Sequence, residues 1–385
     1  MSTTATTRTI ERTAVHATLY IAFELGNGSW KLGFSTGLGQ RPRERNIRAR
    51  DVEGVLEEIE RAKRRFRLPE AVRVVSCYEA GRDGFWLHRF LVDQGIENRV
   101  VDSSSIEVNR RQRRAKTDRM DVGKLLGLLM RYEAGERKAW SVVRVPTVTE
   151  EDARQLHREL LNTKRDRTRI TNRIRGLLAN QGLEIDLQAD VPTQLDQICC
   201  WDGSPLAPGL RARLLREWQK VEFLTRQVRE LQNERRRLLR SSDDPAMQKI
   251  AQLLTLRGIG ANSAWLYTME FFGWRQFHSG KEIGALAGLT PTPHQSGELR
   301  HELGIAKAGN RRVRWMSIEG AWAWLRFQPQ SALSRWYEER FGHGGPRMRK
   351  IGIVALARKL LIALWRFLET GVVPEGAELK TRIEI

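Results

Sequence analysis

Cysteine is scarce in this chain of 385 residues. There are three, and Cys199 and Cys200 are adjacent. No CxxC pair and no even-numbered framework is present, so the sequence suggests neither a disulfide scaffold nor a zinc site. A long apolar run is also missing. The most apolar late stretch, Ile351 to Val373, is broken by Arg358, Lys359 and Arg366, which predicts an amphipathic helix and argues against a membrane span. The Thr-rich start, Met1 to Arg12, lacks the apolar segment of a signal peptide, and the cytoplasm is the expected compartment. Acidic residues are in deficit: 46 Asp and Glu stand against 66 Lys and Arg, a net charge of +20. Such an excess favours a polyanionic partner, because every neutralised phosphate releases counterions. The cations lie along most of the chain and form no simple tail. An apolar fraction of 41% is enough for proper cores, and the length suggests two or three domains.

Residues 1–15 are expected to be a tail. Thr18 to Glu24 has the β-branched and aromatic content of a strand, Gly26-Asn27-Gly28 signals a turn, and Trp30 to Ser35 returns. A third strand is expected over Asn46 to Ala49. Apolar residues at 52, 55, 59, 62 and 66 have a helical period. Ala71 to Cys77 predicts a strand, Gly84 to Gln94 a helix and Asn98 to Val101 another strand. Thr117 is a candidate N-cap for a helix from Asp118 to about Tyr132. The order β-β-β-α-β-α-β-α over 16–145 suits a mixed sheet with covering helices and is the element order of ribonuclease-H-like nucleases. Two long helical patterns, 149–184 and 206–240, predict an antiparallel hairpin in segment 146–245, the second with near-heptad spacing from Leu214 to Leu238. A mainly helical domain is expected over 246–385. The fold class is thus α/β plus α.

Four carboxylates fall at element ends. Glu24 closes the first strand, Glu79 lies just past the fourth, and Asp118 and Asp121, spaced i, i+3, share the first turn of a helix. Taken singly, each has a bland account: an acidic first turn complements the helix dipole, and a lone Glu at a strand end is a solvated turn residue. Their joint placement points to a site for Mg²⁺, which needs several carboxylates converging on one point for phosphoryl chemistry. The run before the pair holds Arg110, Arg111, Arg113, Arg114 and Lys116, a solvated loop or, beside such a site, a patch that positions nucleic acid.

Later, Arg257-Gly258-Ile259-Gly260 has the form of a helix-hairpin-helix turn, whose glycines let backbone N–H groups approach phosphate. Gly288-Leu-Thr-Pro291 leads to Ser296-Gly297, and Lys307-Ala-Gly-Asn310 opens a helix carrying Arg311, Arg312 and Arg314. A helix start with arginines predicts an anion site. Ser296 is then a candidate nucleophile or a polar turn residue. Nothing in the sequence shows its base; His294 is two residues away.

Together, Glu79-Ala, Ala115-Lys-Thr-Asp118-Arg-Met-Asp121, Gly258-Ile-Gly260, Gly288-Leu-Thr-Pro291, Ser296-Gly297 and Lys307-Ala-Gly-Asn310-Arg resemble the DEDD-type transposases of bacterial insertion sequences, the bridge-RNA-guided recombinases. The resemblance runs from about Tyr20 to Leu368. It implies a RuvC-like domain that binds Mg²⁺ through Glu24, Glu79, Asp118 and Asp121, and a helical hairpin that mediates oligomer contacts in a homodimer or homotetramer. It also implies that Ser296 forms a covalent serine–DNA intermediate, and that a structured noncoding bridge RNA pairs with donor and target DNA. One position departs: the family's first acid is usually Asp, and Glu24 is longer by one methylene, which matters to a cation demanding near-ideal octahedral geometry. Two alternatives stay open, a RuvC-like hydrolytic nuclease acting on branched DNA and a non-catalytic nucleic-acid-binding scaffold.

Overall fold

The computed structural model describes residues 17–102, 105–106, 122–241, 243–296 and 299–381, which divide into two compact units, 1–145 and 146–385. The first unit follows the predicted order: β1 (Thr18–Leu25), β2 (Ser29–Ser35), β3 (Arg43–Arg48), α1 (Val52–Arg65), β4 (Arg73–Glu79), α2 (Trp86–Asp93), β5 (Glu97–Val101) and α3 (Val122–Glu133). The sheet order is β3-β2-β1-β4-β5. β1, β2 and β3 pair antiparallel, while β4 is parallel to β1 and β5 to β4. β3 starts earlier than expected. As an edge strand rich in charge it has no alternation to betray its start.

The pleat sends alternate residues of β1 to opposite faces. Leu19, Ile21 and Phe23 join the core shared with α1 and α2, through Val55, Ile59, Leu87 and Leu91. Ala22, with Val75 and Cys77 of β4, joins the core under α3. Gly33 of β2 is there because α3 lies so close: a Cβ at that position would sit 2.9 Å from Leu126 and 3.0 Å from Val122.

The second unit begins with α4 (Val148–Ala179). A reciprocal capping box holds its start: Thr147 Oγ1 accepts from Glu150 N–H, and Glu150 accepts from Thr147 N–H. α4 returns through the short α5 (Val191–Gln197), which the sequence reading left as a reversal, to α6 (Pro208–Ser241). The two long helices run antiparallel, with Ile174 and Leu178 beside Leu214 and Val221, and with Arg173 paired to Glu217 at 2.9 Å. Beyond them come α7 (Pro245–Thr255), α8 (Ala261–Tyr267), a π-helical turn (Thr268–Phe272), α9 (Gly280–Leu286), β6 (Pro291–Ser296), β7 (Leu299–Ile305), α10 (Arg311–Phe327), α11 (Ala332–Tyr337), a second π-helical turn (Glu338–Gly342) and α12 (Pro346–Thr370). Leu156 and Leu161 of α4 and Leu238 and Leu239 of α6 pack on the core of these helices, so the base of the hairpin belongs to the same body. Among the described residues no helix is long and apolar enough to cross a membrane.

The antiparallel pair β6–β7 replaces the expected serine loop. Pro291 and Pro293 weigh against a strand, since proline donates no ladder hydrogen bond. A two-stranded ribbon has a free edge on each strand, and the register shifts between Pro291 and Pro293, so both residues are accommodated.

Candidate active site

In the first unit the register sets the acids. β1 and β4 are parallel neighbours, and the ladder reaches Phe23 beside Tyr78. The next residue on each strand is Glu24 and Glu79. Both follow the parity of Ala22, Val75 and Cys77, so both belong to the α3 face at the carboxyl edge of the sheet. On the other side, Glu24 stands opposite Lys31 in the β1–β2 register. Val122 of α3 lies directly over Gly33, whose partner in the ladder is Ala22. Asp118, Asp121 and the cations Arg110, Arg111, Arg113, Arg114 and Lys116 lie outside the described residues. No group of three or more potential metal ligands occurs among the described residues.

In the second unit, Ser296 is the last residue of β6 and pairs in register with Leu299, and His294 pairs with His301. The hairpin is held at its base by a close crossing of two backbone segments. Gly288 has φ +67°, and a Cβ there would lie 1.9 Å from the carbonyl oxygen of Ala308. Gly309 has φ +77°, and its Cβ would lie 2.0 Å from the carbonyl oxygen of Leu286. Lys307 N–H donates to Gly288 O and Asn310 N–H to Leu286 O, at 3.2 and 2.8 Å. Only glycine suits both points, in dihedral and in space.

Asn310 caps α10, its side-chain oxygen accepting from Arg312 and Val313 N–H at 2.9 and 3.2 Å. The expected cations then divide. Arg314 donates to the carbonyls of Ala287 and Ala308 and so ties the crossing together. Arg312 leans toward Glu270 at 3.7 Å. Lys307, itself at φ +57°, and Arg311 make no ion pair among the described residues. The Gly258 turn joins α7 to α8 with φ +87° and lies against Phe327, and Gly260 is the N-cap of α8. Arg257 pairs with Glu378 at 2.6 Å.

The sequence reading missed a buried ionic cluster behind the Asn310 cap. Glu270, 1% exposed, sits in the first π-helical turn. Arg158 of α4 grips its carboxylate with two hydrogen bonds of 2.7 and 2.8 Å. Asn310 Nδ2 reaches both its carbonyl and its carboxylate. Burial raises the Glu270 pKa, but Arg158, helped by Asn310 and Arg312, outweighs it and holds the carboxyl below its ordinary value. A lone acid within Tyr267-Thr-Met-Glu-Phe-Phe272 was the available signal, since a carboxylate in an apolar run is buried only with a partner. Next to Arg158 in α4, His157 is fully buried with neither ring nitrogen hydrogen-bonded. Burial, then the charge of Arg235 from α6, pushes it down to about 3. Glu270 opposes this, while Arg312 and Lys164 add to it.

This histidine is therefore neutral when folded and takes up a proton below about pH 6.5 when unfolded. Between these values the unfolded state binds more protons, so stability falls as pH drops from about 6.5 toward 3. At pH 5 the loss is expected to be about 2 kcal/mol. Melting temperature against pH for wild type and His157→Leu checks it, with a flatter curve for the variant.

Residues 250–336, from α7 to α11 and including the hairpin, match the family model described as "Transposase IS116/IS110/IS902 family". A putative transposase, y4rJ, of Sinorhizobium fredii is 40% identical over 376 residues, covering 94% of this chain and 95% of that protein. A probable family 20 transposase of Pseudomonas aeruginosa is 31% identical over 240 residues, 61% of this chain and 69% of that protein. The transposase for insertion sequence element IS1328 of Yersinia enterocolitica is 27% identical over 243 residues, 63% and 70% of the two chains. With most of both chains aligned at 40% identity, and with the glycine crossing and serine hairpin inside the matched segment, this chain belongs to the IS116/IS110/IS902 family of transposases.

Proposed function

We propose that this transposase works as a DNA recombinase through a serine–DNA ester, with Ser296 as nucleophile and Glu24, Glu79, Asp118 and Asp121 as the acids of a RuvC-like Mg²⁺ site. The observation that carries the acid half is the shared edge and face of Glu24 and Glu79, on the side of the sheet that α3 covers. Carboxylates are hard oxygen donors, which suits Mg²⁺. When bound, the cation supplies charge stabilisation to the phosphate oxygens.

The residues of the chain do the rest. Ser296 Oγ forms a bond to phosphorus as the bond to the leaving strand oxygen breaks. The serine proton goes to a base, for which His294 is the nearest candidate in sequence, and the leaving oxygen takes up a proton. The number of phosphoester bonds is unchanged, so an incoming strand hydroxyl reverses the step and rejoins DNA without an external energy source. Lys307 and Arg311, which have no acidic partner among the described residues, neutralise phosphate near the base of the hairpin. In this scheme a bridge RNA selects donor and target by pairing, while the protein reads shape and backbone. The protein acts in the cytoplasm as a homodimer or homotetramer whose contacts involve the α4–α6 hairpin.

A denaturing gel tests it. The full chain is incubated with Mg²⁺, the transcript of the element's noncoding flank and labelled junction DNA. A labelled band that runs as protein is expected. Free cleaved DNA without that band supports the hydrolytic nuclease, and binding without any cleavage supports the scaffold.

A further inference from the structure

A groove of about 1040 Å³ runs between the base of the β6–β7 hairpin and the first five turns of α12. Five cations line it: Lys307, Arg347, Lys350, Arg358 and Lys359. Among the described residues no acidic side chain lines it, and neither does any hydroxyl or amide side chain. Its floor is aliphatic, from Ile351, Val354 and Ile362 of α12 with Leu289 and Ile305 beneath the hairpin. Lys359 lies over the Trp336 ring at 4.5 Å, and the stem of Arg358 rests against Gly284. Lys307, Arg347 and Lys350 make no ion pair among the described residues. Arg347 and Lys350 are exposed and one turn apart on one side of α12.

Cations held along a groove with no acid among its described lining residues are matched by a partner whose charges are all negative and regularly spaced. A phosphodiester backbone has that property. The aliphatic floor narrows the choice. Among the described residues the groove has no side-chain acceptor for a ribose 2′-hydroxyl, the group by which a protein recognises RNA, and the floor suits the apolar edge of deoxyribose. The groove also starts at Pro291 and Lys307, the two ends of the hairpin that bears Ser296. We propose that this groove is a docking track for the DNA backbone, which guides the attacked duplex toward the hairpin. The proposal rests on the recombinase reading for its direction along the hairpin, but binding in the groove needs no cleavage.

The test uses the full chain without Mg²⁺, so that the failure of the serine chemistry cannot mask it. In Arg347→Gln/Lys350→Gln, the slope of log Kd for duplex DNA against log salt is expected to fall by about 1.8, or 0.9 for each lost phosphate contact. An unchanged slope overturns the track. In a second experiment Ile351, 49% exposed in the groove, is replaced by a photoreactive amino acid (Ile351→p-benzoylphenylalanine). The protein is irradiated with labelled junction DNA and a differently labelled flank transcript. Attachment of the DNA label is expected. Attachment of the RNA label alone overturns the assignment to DNA, and attachment to a second copy of the chain shows a subunit interface instead. The ester band on the denaturing gel, read in parallel with wild type, reports the serine chemistry independently.

Discussion

Ser296→Ala is expected to remove the DNA–protein ester completely and to lower strand exchange by a factor on the order of 10³ or more, because a methyl group cannot form the ester bond. Binding of junction DNA should change by about tenfold at most, the value of one hydrogen bond. The two readings come from the same preparation: a denaturing gel for the ester and a titration for binding. A variant that still yields cleaved DNA would assign the chemistry to water and leave the serine irrelevant. A variant that loses binding together with exchange would make Ser296 a structural residue of the ribbon. The same pair of measurements made on Glu24→Asp addresses the acid half. If the longer side chain weakens the metal site, shortening it raises activity without altering binding.

Glu270→Ala is expected to destabilise the second unit by about 3 kcal/mol, measured by denaturant unfolding. The carboxylate is 1% exposed and is held by Arg158 from α4 and by Asn310 from the start of α10. Removing it leaves Arg158, already stripped of much of its water, without its bidentate acceptor, and that orphaned charge dominates the loss. Arg158 keeps 30% of its side-chain exposure, which places the expected loss at the low end for a buried pair. Glu270→Gln retains an acceptor and should lose about half as much. A loss below about 1 kcal/mol for the alanine variant would mean that the pair is no more than a surface bridge.

The legible part of this fold was the part governed by periodicity and turns. Gly26 and Gly28 mark the β1–β2 reversal, and the 52-55-59-62 spacing marks α1. The β6–β7 ribbon was not legible because Pro291 and Pro293 oppose a strand by local rules, and only the ribbon's free edges permit them. α5 was missed because seven residues are too few to show a helical period. Of the site, the order of Glu24 and Glu79 along the chain suggested strand ends, but that the two strands are adjacent is a fact of topology that no local pattern encodes. The Glu270 cluster lay beyond reach for a related reason. Its members are 112 and 40 residues apart in sequence, and each looks ordinary alone.

The glycine crossing at Gly288 and Gly309 has a mechanical consequence. Fifteen residues, from Pro291 to Ile305, leave and re-enter the body through one pinned neck. Load on the ribbon meets three backbone hydrogen bonds, from Ala306 to Thr290, Lys307 to Gly288 and Asn310 to Leu286, and the guanidinium of Arg314. The ribbon is thus a lever with a fixed fulcrum. A module built in this way can change length or sequence beyond the neck without remodelling what lies behind it, whereas a single methyl group added at either glycine would prise the fulcrum open.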